Sequence, residues 1–386
     1  MIQRAIADYE GPRTPREDER DATLRLTRSV FFPNDADAAR AMNAWPMTRH
    51  HDQRENVFVM LRDGEPVSSI MRLERDCLIR GHRLRVGYVG AVCTHPAHRG
   101  KGLASALLEA TFQRFRENHC DFAYISGTRP LYFGAGADHA APATRYVLKD
   151  GTRLLDGPNV SVRPATVADV DVLVELALGE STRFVRRPDD YRFVLEAGYC
   201  AGNPATAYIV EFRGVPSAYL LCRNADVPRR MGLFEFAGDR ACVYAALNRL
   251  SQTLDETGLL DVDTPHGDSL GTLLSASGVA RAPRRDPGTI KALDPVATLR
   301  RLVPYFRERL ADCRDLDLRL SSDGERIVAW CDDGSIQVDG ERNALRLLLG
   351  ASPETPVTGV RAAGALRVLI ERCLPLPMPS FDLNMI

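Results

Sequence analysis

Arg99-Gly100-Lys101-Gly102 brings two cations and two glycines together where an apolar run gives way to a helical pattern. Upstream, residues 86–93 (VGYVGAVC) read as a buried strand. Downstream, Leu103, Leu107, Leu108, Phe112 and Phe115 recur at three- and four-residue steps, the apolar stripe of a helix from about 102 to 118. A helix N-terminus exposes main-chain N–H groups that have no partner within the helix, and the positive end of the helix dipole lies there too. With two cations beside it, this loop suits a pyrophosphate. Two better-known phosphate loops do not fit. A dinucleotide fold needs G-x-G-x-x-G and an acid about 20 residues on, and a P-loop needs G-x-x-x-x-G-K-[ST]. Gly134-Ala135-Gly136 does not supply the first, because Pro142 and polar residues follow where a helix should start.

Other chemistry-bearing residues read more plainly. Cys93 sits on an alternating strand and reads as a packed side chain, not a nucleophile. His50, His51, His95 and His139 read as surface or loop residues and form no metal constellation. The stretch 126–137, SGTRPLYFGAGA, places Tyr132 after a strand at 121–126.

The elements that must hold these residues follow in order. Residues 16–31 read as a helix, with Leu24, Leu26, Val30 and Phe31 on its apolar face. Strands at 56–61 and 66–73 flank the turn 62–65 and make a hairpin. Gly90-Ala91 is where small residues allow a bulge that splays the strand 86–93 from its neighbour. After a Gly-, Asp- and Pro-bearing linker at 151–160 the rhythm repeats. Strands at 207–212 and 215–222 surround Arg213-Gly214, a strand spans 232–237, and a helix spans 241–257. Gly238-Asp239-Arg240-Ala241 stands where the basic loop should be, without paired glycines and with an acid in the way. A second copy of the first fold that has lost its ligand site is predicted. A third region carries an amphipathic helix at 294–310, strands with Asp-Gly turns at 323–324, 333–334 and 339–340, and short helices near 342–349 and 361–373. The closing segment 374–386, LPLPMPSFDLNMI, is stiffened by alternating prolines and too apolar for a free tail, so docking is expected.

Composition sets the outer limits. At 386 residues, two or three domains are expected. A formal net charge of −1 argues against a general nucleic-acid binder, which carries a basic excess. The cations are nearly all arginine, with Lys101, Lys149 and Lys291 the only lysines. Nine scattered cysteines without a C-x-x-C suggest neither disulfides nor zinc, and a reducing cytosol fits. The start lacks the apolar core of a signal peptide, and no apolar run nears the ~20 residues of a membrane span. A cytoplasmic protein without membrane or nucleic-acid partners is expected.

The frame Val92-x-x-x-Pro96 followed by Arg99-x-x-Gly102-x-Ala104 resembles the signature loop of the GNAT superfamily of N-acetyltransferases. That resemblance implies a mixed α/β (α+β) sheet and acetyl-CoA as co-substrate, with no metal. Its pyrophosphate would be cradled by Arg99, Gly100, Lys101, Gly102, Leu103, Ala104 and Ser105. The pantetheine arm would pair with the main chain of Val92, Cys93 and Thr94, where an N–H would face the thioester oxygen. Tyr132 matches the family's tyrosine beside the sulfur and would be the general acid, although Phe133-Gly134 departs from the usual pair after it.

The whole layout resembles the Eis-like (enhanced intracellular survival) subgroup, sharply only at 86–148 and in the closing residues. The resemblance implies a GNAT domain at 1–152, a degenerate GNAT-like domain at 153–290, and a small sterol-carrier-protein-like α+β domain at 291–386. It further implies that the terminal carboxylate, on Ile386, docks on the first domain as base; a tail that only packs, and another base such as His139 after Asp138, stay open as alternatives. The implied acceptor is a primary amine, on a polyamine, an aminoglycoside or a protein lysine, and the implied assembly is a homo-oligomer such as a hexamer. A reading from another class gives the function to the third domain, as a coenzyme A-responsive or lipid-binding module. That reading needs a ligand tunnel there.

Overall fold

The computed structural model describes residues 7–33, 44–49, 55–139, 143–149, 151–224, 230–253, 258–284, 288–309, 319–323, 326–332, 334–351 and 356–384. The first sheet begins with β1 (Glu10–Arg13), β2 (Val57–Arg62), β3 (Glu65–Ile79), β4 (His82–Thr94) and β5 (Phe122–Ile125). β1 was not expected; it falls in a charged stretch that offers no apolar alternation, and it pairs at the edge of the sheet with β2. Asp63-Gly64 and Arg80-Gly81 each make a two-residue hairpin turn with both residues at positive φ, the geometry that joins twisted strands without splaying them. Helix α1 (Arg20–Phe31) precedes β2 where a helix is expected, but its packed face is corrected: it buries Thr23 and Leu26 and leaves Leu24 and Phe31 exposed.

Helix α2 (Leu103–Glu117) follows β4 and packs on the sheet through Leu103, Leu107, Leu108, Phe112 and Phe115, the predicted stripe. Its crossover makes β5 parallel to β4. The close approach depends on Gly87, where an added Cβ would sit 2.5 Å from the Phe115 ring. Helix α3 (Pro130–Gly134) comes after β5.

The chain then leaves the first sheet. β6 (Ala143–Lys149) pairs antiparallel with β13 (Leu259–Thr264) in a second sheet. That sheet also holds β7 (Val160–Pro164), β10 (Asn203–Phe212), β11 (Val215–Asn224), β12 (Arg230–Gly238) and β14 (Arg281–Arg284), in the order β14-β6-β13-β12-β11-β10-β7. The short β8 (Arg183–Phe184) pairs with β3 of the first sheet, and β9 (Tyr199–Cys200) pairs with β10. The expected repeat is present. β10 and β11 form a hairpin around Arg213-Gly214, β12 and β13 are parallel, and α6 (Arg240–Ser251) lies between them. α4 (Val170–Leu178) and α5 (Pro188–Ala197) come before that hairpin, and α7 (Ser269–Ala276) follows β13.

β15 (Thr289–Ala292) returns to the first sheet and pairs antiparallel with β5. The two sheets therefore exchange strands, and no single cut in sequence separates them. The third region packs α8 (Pro295–Arg309), α9 (Glu341–Leu349) and α10 (Ala365–Cys373) against an antiparallel sheet of β16 (Arg319–Ser322), β17 (Arg326–Cys331), β18 (Gly334–Asp339) and β19 (Val360–Gly364). Two expectations are corrected there. Residues 360–364 pair with β18 as a strand, so the last helix starts only at Ala365. Asp339-Gly340 does not join two strands but ends β18 and begins α9. One core runs through all three regions, with Tyr88 and Tyr124 of the first sheet, Tyr219 and Phe234 of the second, and Phe306 and Leu369 of the third.

Gly87→Ala tests the helix–sheet approach. Overpacking of a tight core costs about 1–3 kcal/mol. The variant should melt several degrees below the wild type, with part of the loss restored by a second change, Phe115→Leu. Thermal denaturation followed by circular dichroism measures both.

Candidate active site

The site begins where two parallel strands part. β4 and β5 are register partners from Val86↔Phe122 to Val89↔Ile125, and β4 then runs on to Thr94 alone on that side. On its other side β4 stays paired to β3, but Ser69 faces Cys93 while Met71 faces Gly90, so β4 carries an extra residue. The bulge lies at the predicted Gly90-Ala91, with Ala91 at φ +47. A bulge bends its strand and increases local twist. Here it leaves a notch between β4 and β5 beside residues 92–94, in which the Cys93 carbonyl accepts from Ser68 Oγ at 2.8 Å and the Thr94 carbonyl from Arg99.

After Thr94, Pro96–His98 forms a 3-10 turn capped by the His95 ring, which accepts from the Ala97 amide at 3.3 Å. Gly100 (φ +76) and Gly102 (φ +82) turn the chain into α2. No room for a side chain is lacking at Gly100; its backbone conformation is what requires glycine. Among the described residues, the amides of 100–105 donate to no acceptor. Arg99 and Lys101 are exposed, and Arg99 donates from Nε to the Thr94 carbonyl at 3.2 Å. The Lys101 ammonium donates to the Tyr9 hydroxyl at 3.0 Å, and that hydroxyl also meets His98 Nδ1 at 3.0 Å. Tyr9 is thus part of this loop. Sequence reading missed it because it lies some ninety residues away in an unremarkable charged lead-in.

The other wall carries Tyr132, buried on α3. Its ring packs against Gly127, where an added Cβ would be 3.1 Å away, and its hydroxyl has no partner among the described residues. Burial raises its pKa above the usual phenol value, and the nearby Arg129 charge partly opposes that. The phenol is therefore protonated throughout the neutral range. The same Arg129 charge also weakly opposes the rise at Cys93. The Cys93 thiol contacts Ser69 Oγ at 3.1 Å, and burial pushes its pKa up against those hydrogen bonds. That is the environment of an inert structural cysteine. Below Tyr132, Arg342 of α9 donates to the Phe133 carbonyl and Arg346 pairs with Asp138, tying the segment after α3 to the third region.

The tail docks as its composition suggested, as far as the described residues go. Leu376, Phe381 and Leu383 are buried. Phe381 stacks on Tyr124 with centroids 4.6 Å apart and planes at 11°, and Asn384 Nδ2 donates to the Tyr88 hydroxyl at 2.7 Å. Tyr88 and Tyr124 are register partners one step before the strands part. Ile386, His50 and His51 lie outside the described residues. His139 sits beside Phe133, ring edge to ring face at 5.3 Å.

A second notch mirrors the first. β12 pairs with β13 only as far as Leu233↔Val262 and then continues to Gly238. Its helix N-terminus is already taken, since Asp239 caps α6 by accepting from the Cys242 amide at 2.8 Å. Arg240 is held by Glu180 at 2.7 Å and Asp268 at 3.0 Å. A cavity of about 540 Å³ opens there, and the carboxylates on its wall are neutralised from within: Glu235 by Arg186, Asp263 by Arg284, and Glu180 and Asp268 by Arg240. In the third region an apolar cavity of about 30 Å³ lies among Leu299, Phe306 and Leu348, room for about one water and not for a lipid chain. Among the described residues, no group of three or more His, Cys, Asp or Glu could hold a metal, and no helix is long and apolar enough to cross a membrane.

Residues 12–139, the stretch that holds the notch and loop, match the Acetyltransferase (GNAT) domain family. The first domain is a GNAT acetyltransferase domain. As such it is an enzyme of the acyltransferase class, and acetyl-CoA is the co-substrate that goes with its fold. Three solved structures share the whole architecture. A GCN5-related N-acetyltransferase from Kribbella flavida is 15% identical, covers 97% of each chain and has a TM-score of 0.62. One from Anabaena variabilis is 12% identical over 97% of this chain and 98% of its own, with a TM-score of 0.63. Eis1 from Mycobacterium abscessus is 15% identical over 98% of this chain and 100% of its own, with a TM-score of 0.62. No curated protein sequence matches the chain. Both large sheets are GNAT-like, and the third region is a distinct small α+β unit.

The inert reading of Cys93 is directly testable. At pH 8 its alkylation in the folded protein should run at least roughly tenfold slower than that of the half-buried Cys331, since the thiolate is the reactive form. Peptide mapping after brief iodoacetamide treatment reads both. Cys93→Ala should retain acetyl transfer.

Proposed function

We propose that the protein transfers an acetyl group from acetyl-CoA directly to a primary amine, with both substrates bound together in the first domain. The observation that carries this reading is the parting of β4 and β5 after Val89 and Ile125, with six unengaged amides at the foot of the same cleft. The amides of 100–105, with Arg99 and Lys101, would take the pyrophosphate, because a helix N-terminus with free N–H groups is built for an anion. Val92, Cys93 and Thr94 would accept the pantetheine arm as an added strand. An N–H near the bulge would stabilise negative charge on the thioester oxygen. Acetyl transfer forms a C–N bond and breaks a C–S bond. The amine loses a proton to a base, and the leaving sulfur gains one from Tyr132, whose raised pKa keeps that proton available.

In this reading the base is the α-carboxylate of Ile386. Its support is the docked tail: Asn384 lies against Tyr88, and two extended residues reach about 7 Å, enough to enter the notch. The layout of two GNAT-like sheets, a small α+β unit and a tail returning to the first sheet supports the Eis-like grouping. Three units near 1–152, 153–290 and 291–386 remain our division of the chain, with β6 reaching from the first into the second sheet and β15 returning to the first, and with a sterol-carrier-like third unit acting as scaffold. The acceptor would be a small polyamine- or aminoglycoside-like amine or a protein lysine, and the assembly a homo-oligomer.

Thiol release from acetyl-CoA across a panel of amines tests the function. Tyr132→Phe should lower kcat by roughly 10²-fold or more, the scale of general acid catalysis, while the Kd for coenzyme A stays within about twofold. Full turnover by that variant would remove Tyr132 as the acid. Gly102→Val should do the reverse: a β-branched residue at positive φ distorts the loop, so coenzyme A binding should weaken first.

A further inference from the structure

A buried chain of hydrogen bonds links the second domain to the first through the tail. Tyr219 donates to Glu235 Oε1 at 2.9 Å, and Tyr191 meets the Tyr219 hydroxyl at 3.3 Å. Because the Tyr219 proton goes to the carboxylate, Tyr191 is the donor to Tyr219. Arg186, between β8 and α5, donates to Glu235 Oε2 and also to Asn384 Oδ1. Asn384 then donates from Nδ2 to the Tyr88 hydroxyl at 2.7 Å. Asn384 is fully buried, at 0% exposure, and the Arg186 side chain is 4% exposed. Asn384 has no access to water, and Arg186 and Glu235 meet it only through the cavity they line.

Few side chains could stand at 384. The position needs an acceptor for a buried guanidinium on one side and a partner for a phenol on the other. An amide offers both in one planar group. Leucine has a similar size and offers neither, which would leave a buried arginine donor unmatched. That omission is the expensive kind, because the group has already lost its water. Aspartate can accept from Arg186 and from the Tyr88 O–H, but adds a charge beside Glu235. The place matters as much as the chemistry. Tyr88 and its register partner Tyr124 sit one step before β4 and β5 separate, and Phe381 is stacked on Tyr124.

We infer that Asn384 is a positioning residue, a latch through which Arg186 and Glu235 of the second domain fix the tail at the mouth of the first domain's notch. This rests on the acetyl-transfer reading for its effect on rate, but not for the latch itself. It gives the second domain a task although its own notch is closed to a pyrophosphate. The buried carboxylate–guanidinium pair of that domain orients a segment that works in the other.

Asn384→Leu tests it in the full chain. Two readouts are taken: steady-state kinetics with acetyl-CoA, and hydrogen–deuterium exchange of the peptide spanning 376–384. We expect kcat to fall at least roughly tenfold, the effect of losing about one net hydrogen bond to a charged group, with KM for acetyl-CoA within twofold. Exchange in the tail should rise by roughly tenfold or more, while α2 and β5 keep wild-type protection. Tyr88→Phe, which keeps the packed ring, should produce smaller changes of the same kind, and Asn384→Asp should restore part of the lost kcat. Wild-type exchange in the tail of Asn384→Leu and Tyr88→Phe would overturn the latch. Faster exchange with unchanged kcat would overturn its positioning role. Loss of protection throughout the chain would show Asn384 to be merely structural. Exchange needs no substrate, so if no amine is acetylated by the wild type, the acetyl-transfer reading fails and the latch is still decided.

Discussion

The separation of β4 from β5 is the constraint on which the rest of this structure depends. A parallel pair inside a sheet is normally paired to its end, because a bare strand edge leaves N–H and C=O groups without partners. Here pairing stops at Val89 and Ile125, and the bulge at Ala91 turns the remaining residues aside. The fold must keep that opening from closing or flooding. α2 holds one side through Phe115 lying on Gly87, α3 brings Tyr132 to the other, and the tail lies across the approach at Tyr88 and Tyr124.

The second sheet shows what happens to the same opening when a ligand is not provided for. Its strands part in the same way, yet Asp239 supplies the anion that a helix N-terminus attracts, and Arg240 is locked between Glu180 and Asp268. A carboxylate at the cap and a clamped guanidinium follow a single positive-φ glycine, Gly238, where the first site has a glycine pair and unengaged amides. The two openings thus differ by a handful of side chains on one backbone plan. The cavity beside the second offers no unpaired carboxylate to a polycationic guest, since arginines already satisfy the acids on its wall.

Much of this was legible in the chain, because the signals were local. The stripe from Leu103 to Phe115 marked the helix, Asp63-Gly64 and Arg213-Gly214 marked hairpins, and the small pair Gly90-Ala91 marked the bulge. The acid at 239 foretold the second site's occupation. What stayed hidden was set by distance along the chain. Nothing near Ala143–Lys149 says that its partner is Leu259–Thr264, and nothing near Tyr9 points to Lys101. Residues 361–364 read as helix because Arg, Ala and Gly there carry too little pattern, and pairing with β18 makes them a strand. Asn384 is one of three polar side chains in the ending, with Ser380 and Asp382, and nothing in the sequence sets it apart. Only the placement of Arg186 and Tyr88 does so.

The exchange of β6 and β15 between the two large sheets has a consequence for the protein as an object. The second sheet is built from the continuous run β6 to β14, but the first lacks a strand until the polypeptide has travelled through the second and come back, so it is complete only after residue 292 has been laid against β5. A gene cut near residue 140 would yield a fragment with a raw β5 edge and an exposed apolar flank, prone to clump. The two sheets are consequently bound to a common fate in synthesis and in melting, since neither can be removed without stripping a partner from β5 or from β6.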